Sequence, residues 1–148
     1  MKRIIALPVC AFIFSLSVFA EDMPVKQNEL PQKAQNFLKE HFNDKKISFS
    51  SQDKDFFDGE YKIVFTDGSK IEFSKKGDWL DVECKKNSEG VPSSIIPAKI
   101  KKYIAENHSD SKVYDIENNR GIRGGYEVKL SSGLELKFNK EGDFKGFD

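Results

Sequence analysis

Three side chains of the sequence could support nucleophilic catalysis: Cys84, His41 and His108. A thiolate activated by a histidine attacks acyl groups, but a reactive cysteine needs a partly exposed, electropositive setting. Cys84 instead alternates with Leu80 and Val82, which predicts an apolar position in a buried strand. The two histidines fall near the ends of two helical segments, and without a cysteine cluster they are too few ligands for zinc. We therefore predict no catalytic residue and no enzyme activity.

An acidic stretch between residues 53 and 60 is the candidate metal site. Calcium prefers several carboxylate oxygens on a loop with a glycine that permits a sharp turn, and Gly59 follows the acids here. The spacing differs from that of an EF-hand loop, because the third acid falls one position late and no glutamate closes the loop. A polar hairpin turn explains the same residues. Calcium at Asp53, Asp55 and Asp58 and a metal-free turn both remain open, and we expect no other cofactor.

The first twenty residues have the parts of a secretory signal. Two basic residues precede an apolar run over 4–19, and Ala20 ends a segment of the kind that signal peptidase cleaves. A lipoprotein signal at Cys10 is the alternative, although the residue before it is larger than such signals prefer. We expect a periplasmic or secreted chain that begins at Glu21 and has no membrane span after cleavage.

Composition narrows the classes of function. The sequence has 24 basic and 24 acidic residues, so it lacks the basic surplus of a nucleic-acid-binding protein. Of its two cysteines one leaves with the signal, and no intramolecular disulfide can form in the remainder. The fold must therefore be held by its core, for which 13 phenylalanines supply much of the apolar surface.

The chain also matches itself, which predicts two tandem copies of one unit. Each copy opens with an amphipathic helix, and Pro31 and Pro97 sit where a first helical turn tolerates proline. Strands with alternating apolar residues follow. Three segments correspond in order: 30–38 with 96–104, 61–65 with 126–130, and 71–79 with 136–144.

The alternation predicts a β-hairpin in each copy, closed by a three-residue loop that ends in a left-handed glycine. Around Gly68, this register places Ile63 opposite Ile71 on one face and Lys62 opposite Glu72 on the other. The next hairpin is ambiguous, because either Trp79 or Leu80 can stand opposite Phe73. In the second copy, around Gly133, the opposed pairs are Val128 with Leu136, Glu127 with Lys137, and Lys129 with Glu135.

These motifs resemble those of the PepSY-like family of secreted bacterial proteins. The shared pattern is a proline-led helix, a Tyr-x-Ile/Val-x-Phe/Leu strand, a second strand of the form Ile/Leu-x-Phe, and a Gly-Asp-Trp/Phe turn. The resemblance covers nearly the whole mature chain. It implies a fold similar to that of beta-lactamase-inhibitor proteins and a periplasmic location, and it supplies no defined ligand residues.

We therefore predict an α+β fold in which two helices pack on one face of an antiparallel sheet of about eight strands. The predicted organisation is a signal at 1–20, a loose N-terminal arm at 21–29, repeats at 30–86 and 95–148, and a linker at 87–94.

The opposite sheet face is predicted to bind a protein or peptide partner, in an inhibitor-like manner, because mixed charge with an exposed aromatic suits protein recognition. A calcium-dependent periplasmic sensor or stress protein is the alternative. The candidate partner-binding residues are Lys62, Val64, Lys70, Glu72, Trp79, Glu127, Lys129, Glu135 and Lys137.

Overall fold

The computed structural model describes residues 22–53, 59–121 and 124–148. These residues form one nine-stranded antiparallel sheet, whose strands lie side by side in chain order, and two α-helices. The helices are α1 (Gln32–His41) and α2 (Ala98–Asn107), and a short 3-10 turn covers Gln27–Glu29. The strands are β1 (Met23–Pro24), β2 (Ile47–Gln52), β3 (Tyr61–Phe65), β4 (Lys70–Phe73), β5 (Trp79–Glu83), β6 (Val113–Asn119), β7 (Gly125–Leu130), β8 (Glu135–Asn139) and β9 (Phe144–Phe147).

Both helices lie on the same face of the sheet, as predicted. The ring of Phe37 in α1 meets that of Phe73 edge-on at a centroid distance of 5.5 Å. Tyr103 in α2 meets Phe138 in the same way, also at 5.5 Å. Each helix has ten residues, and no helix in the described ranges is long and apolar enough to cross a membrane.

A row of fully buried side chains crosses the sheet beneath the helices. Each member stands directly opposite the next on the neighbouring strand, and opposed residues point to the same face. The row runs through both halves of the chain, so the halves share one core rather than forming two separate domains. Its members are Ile63, Ile71, Val82, Ile116, Val128 and Leu136, all 0% exposed.

The predicted hairpin registers are confirmed. Ile63 stands opposite Ile71 and Lys62 opposite Glu72. The second hairpin opposes its residues as predicted, and the loop glycines have left-handed φ values of 83° at Gly68 and 88° at Gly133. The open question in the next hairpin is settled by the pairing of Phe73 with Trp79, after which a bulge brings Asp81 opposite Glu72.

The N-terminal arm is more ordered than predicted, and the predicted linker contributes a residue to the core. The N-terminal arm is not loose, because Met23 and Pro24 add an edge strand to β2, which makes nine strands rather than about eight. The Val25 N–H donates to the Ser50 carbonyl at 3.0 Å. In the predicted linker, Val91 is buried and its N–H donates to the Val113 carbonyl at 2.8 Å.

Candidate partner-binding face

Cys84 lies in the core, where it is 4% exposed. Burial raises the pKa of its thiol, which keeps the sulfur protonated and unreactive. In the described ranges no hydrogen bond joins the thiol to a histidine. His41 Nδ1 lies 2.9 Å from Ser94 Oγ, and the His108 ring lies 6.0 Å from that of Tyr103. The geometry of these side chains is that of packed structural residues.

The acidic stretch considered for calcium is described only in part. Asp53 follows β2, and its N–H donates to the Glu60 carbonyl at 2.9 Å, as in a hairpin. Asp55 and Asp58 lie outside the described residues. Within the part of the chain that the structure describes, no group of three or more acidic, histidine or cysteine side chains is placed to hold a metal ion.

The sheet face opposite the helices carries charged side chains, and no described helix lies over it. We call it the open face and define it by two cross-strand rows. The first row contains Lys62, Glu72, Asp81, Glu117, Glu127 and Lys137, and the second contains Val64, Lys70, Glu83, Asp115, Lys129 and Glu135. Eight of the nine residues predicted for partner binding lie in these rows.

The ninth residue, Trp79, was expected on this face, and that placement is wrong. The three-residue hairpin loop sets Trp79 opposite Phe73, on the helix-bearing side. Its ring stacks near Phe37 at a centroid distance of 6.4 Å and lies 6.3 Å from Tyr126. Trp79 therefore contributes to the packing of α1 against the sheet.

Sequence reasoning missed the centre of the open face, which consists of Asp81 and Glu83 on β5 and Asp115 and Glu117 on β6. One signal was present in the sequence, since Asp81 and Glu83 alternate with buried Val82. The pairing of β5 with β6 was not predictable by a hairpin rule, because the linker and α2 separate the two strands in sequence.

Each lysine of the two rows makes an ion pair. The backbone opposes Glu127 to Lys137 and Lys129 to Glu135 as predicted, but these lysines bind other carboxylates. Exposed pairs of this kind contribute ~0–1 kcal/mol each. The N–O distances are 3.4 Å for Lys62–Glu72, 3.4 Å for Lys70–Glu83, 3.1 Å for Lys129–Asp115 and 2.6 Å for Lys137–Asp148.

Four carboxylates follow one another across β4, β5, β6 and β7, and we call them the acidic row. They are Glu72, Asp81, Glu117 and Glu127, each directly opposite the next. Like charges in directly opposed positions destabilise a sheet. The acidic row is therefore a feature that the fold tolerates rather than one that holds it together.

Asp81 is the most perturbed member of the acidic row. Its Oδ1 atom is enclosed and receives no hydrogen bond from an N–H or hydroxyl group of the described residues. Burial is the largest cause that raises the pKa of Asp81 to about 7, followed by the charge of Asp115, a hydrogen bond between the Asp81 and Asp115 carboxyl groups, and the charges of Glu72 and Glu117. Partial desolvation, with the charges of Glu127 and Asp115, also raises the pKa of Glu117.

Comparison with known proteins finds a matching family profile and several similar solved structures. A family profile described as "beta-lactamase-inhibitor-like, PepSY-like" matches residues 59–146. A protein of the DUF2874 family from Bacteroides vulgatus is 44% identical, with a TM-score of 0.79, over 86% of this chain and 97% of its own. A protein from Bacteroides thetaiotaomicron called a "putative calcium-regulated periplasmic protein" is 42% identical, with a TM-score of 0.80, over 86% of this chain and 96% of its own.

A third solved structure, a protein of unknown function from Bacteroides vulgatus, is 35% identical with a TM-score of 0.78 over 86% of this chain and 99% of its own. The descriptions of all three include the words "putative" and "periplasmic", which confirms the predicted location. The comparison with curated proteins finds no match. The profile match and the identity of the solved relatives show that this chain belongs to the PepSY-like family of periplasmic proteins.

Proposed function

We propose that this protein is a non-enzymatic, inhibitor-like periplasmic binding module that recognises a protein or peptide through its open face. The observation that carries the proposal is the asymmetry of the sheet. One face is buried under two helices, whereas the other presents two rows of side chains over which no described helix lies.

The chemistry of the open face suits recognition better than catalysis. Apart from Val64 its side chains are charged, and most of them are half-buried. They stand on strands whose positions are fixed by the shared core. Because the strands are already ordered, little conformational entropy is lost when a partner binds. The buried thiol of Cys84 supports a non-enzymatic role, since it lacks the setting of a catalytic cysteine.

Blocking the open face tests this proposal. In the variant Lys70→Cys, a surface thiol on β4 can carry a bulky polyethylene glycol maleimide, whereas Cys84 is too buried to react. We expect the labelled variant to lose capture of periplasmic proteins that wild type retains. The matched control is labelled Lys101→Cys, on exposed surface of α2.

The unlabelled Lys70→Cys variant should capture as wild type does, because an exposed ion pair contributes little. If both labelled variants retain capture, or if wild type captures nothing, the open face is not the recognition surface. Equal melting temperatures of the labelled proteins exclude loss of structure as the cause.

We also infer that the chain consists of two tandem copies at 30–86 and 95–148, joined by the linker at 87–94. Each half places a helix before four strands. In each half a lysine near the helix start pairs with the aspartate of the Gly-Asp turn: Lys33 with Asp78, and Lys99 with Asp143. Bulges also recur, in the pairings of β2 with β3 and of β6 with β7.

A calcium-dependent sensor is the second candidate function. The observation that favours it is the solved relative called calcium-regulated, at 42% identity. If the loop that begins at Asp53 holds the ion, millimolar calcium should raise the melting temperature of wild type, since a ligand that binds only the native state stabilises it. The variant Asp53→Asn should lose that response, whereas Asp110→Asn, at an exposed turn, should keep it. An unchanged melting temperature of wild type contradicts calcium binding.

A further inference from the structure

We propose that the acidic row binds a basic segment of the partner, an extended chain that presents lysine or arginine side chains at alternate positions. This inference rests on the proposed function and names the chemistry of the partner. It follows from the negative charge that the open face leaves uncompensated, from the length of the acidic row, and from the enclosed carboxylate oxygen of Asp81.

The open face has an excess of negative charge. Its two rows contain seven carboxylates and four lysines, a difference of three charges when every group is ionised. The four lysines are already paired, one of them with Asp148 outside the rows. Among the described residues, Asp81, Glu117 and Glu127 have no cation within ion-pair distance. A partner that supplies cations would complete this face electrostatically.

The dimensions of the acidic row favour several cations on one chain over a single ion. Neighbouring strands lie about 4.8 Å apart, so four consecutive strands give a row about 14 Å long. Side chains at alternate positions of an extended peptide lie about 7 Å apart on one side, so two or three of them match this length. The described carboxylates do not converge on one metal position.

Asp81 supplies an observation that does not depend on counting charges. Beside it the open face sinks into a shallow hollow of about 460 Å³, bordered by Glu72, Leu80 and Asn119. The enclosed Oδ1 of Asp81 receives no hydrogen bond from a described N–H or hydroxyl group, and the ionised carboxylate therefore lacks a donor on this atom. A buried acceptor without a donor costs free energy, and an ammonium or guanidinium group that enters the hollow would remove that cost.

Binding should depend on pH through Asp81, because its raised pKa places its charge change near neutrality. Protonation removes one of the charges that attract the cation, so we expect tighter binding at pH 8 than at pH 6. Lysine on the peptide stays charged over this range. The charged groups that face Asp81 from the surrounding elements are Glu72 on β4, Asp115 and Glu117 on β6, Lys129 on β7, and Glu60 and Arg120 at the rim of the hollow.

The probe is a synthetic peptide of about twelve residues that alternates lysine and serine, titrated into the mature protein at low ionic strength, where charge attraction is least screened. We expect the double variant Glu117→Gln/Glu127→Gln to bind it about tenfold more weakly than wild type. The matched control is Glu40→Gln/Glu106→Gln, which removes two exposed charges from the helices and should change affinity less than twofold. Asp81→Asn should remove the difference between pH 8 and pH 6.

The inference is overturned if wild type does not bind the peptide, or if both double variants weaken binding equally, since net charge would then explain the effect. A glutamate–serine peptide that binds instead, and is blocked by the label at Lys70→Cys, would overturn the basic partner while the open face remained the recognition surface. A melting shift with calcium alone that is lost in Glu117→Gln/Glu127→Gln, without peptide binding, would reassign the row to a metal ion.

Discussion

Replacing Asp81 by asparagine is expected to stabilise the protein at pH 8 by about 2 kcal/mol. The pKa of Asp81 rises from 3.8 to about 7 on folding, because burial and the charges of Asp115, Glu72 and Glu117 disfavour its ionised form. A shift of this size corresponds to about 4 kcal/mol at a pH above both values. We expect roughly half of it, because Asp81 stays partly accessible to water.

The sign of the pH dependence follows from proton binding. Between the unfolded pKa of 3.8 and the folded value of about 7, native Asp81 holds a proton that the unfolded chain has released. The contribution of Asp81 to the free energy of unfolding should therefore fall as the pH rises through this window, and it should be lowest above pH 7. The depressed pKa values of Asp67 and Asp78 act in a different range, where stability is lost as the pH falls below about 4.

Urea denaturation at pH 5.5 and at pH 8 measures this effect. Wild type should be more stable at the lower pH, and Asp81→Asn should be nearly insensitive to the change. Asp110→Asn, at an exposed turn, is the control and should follow wild type. Two results would contradict the assignment of Asp81 as a destabilising buried charge. One is a wild-type free energy of unfolding that rises from pH 5.5 to pH 8. The other is an Asp81→Asn variant that is less stable than wild type at pH 8.

This expectation gives the acidic row a functional interpretation. If Asp81→Asn stabilises the fold and weakens binding of the basic peptide, the same charge lowers stability and raises affinity. Proteins commonly keep such residues at recognition surfaces, where stability is lost for function. Neutralising Glu117 and Glu127 should act in the same direction, since both stand opposite like charges.

Local patterns in the sequence predicted the hairpins and the helices, because their registers depend on short loops and nearby periodicity. Gly68 and Gly133 set the turns, and alternation set which side chains face the core. The pairing of β5 with β6 depends on how α2 and the linker pack, which no local rule encodes. For this reason the hairpins β3–β4 and β7–β8 on either side of the centre were predicted, while Asp81 and Asp115 at the centre of the open face were not.

The misplacement of Trp79 has a similar cause. Two turns were compatible with the sequence, and they send Trp79 to opposite faces because strand side chains alternate. The structure combines the three-residue loop with a bulge at the next residue, so Trp79 and Asp81 follow different registers relative to β4. An aromatic residue beside a charged strand was thus assigned to recognition, although its ring packs against Phe37 of α1.

The turn before Trp79 carries the second large effect, since Gly77→Ala is expected to destabilise the protein by about 2–4 kcal/mol. Gly77 has a φ of 81°, a left-handed value that costs ~1 kcal/mol or more for a residue with a Cβ. A Cβ there would also lie 2.8 Å from Pro31 Cβ and 2.9 Å from the Ala34 backbone nitrogen. Because these atoms belong to the start of α1, relief requires the hairpin and the helix to separate, and such overpacking costs about 1–3 kcal/mol.

Two other turn glycines serve as controls for backbone strain alone. Gly133 has a φ of 88°, and a Cβ there would meet no atom within 4 Å, so Gly133→Ala should cost only ~1 kcal/mol. Gly142 has a φ of 82°, and its Cβ would lie 3.1 Å from Lys99 Cβ on α2, so its variant should fall between the other two. In urea denaturation, the loss of unfolding free energy should therefore be smallest for Gly133→Ala, larger for Gly142→Ala and largest for Gly77→Ala. Equal losses of unfolding free energy at Gly77 and Gly133 would mean that the contact of the Gly-Asp turn with α1 does not matter for stability. The need for glycine at position 77 would then come from its left-handed φ alone.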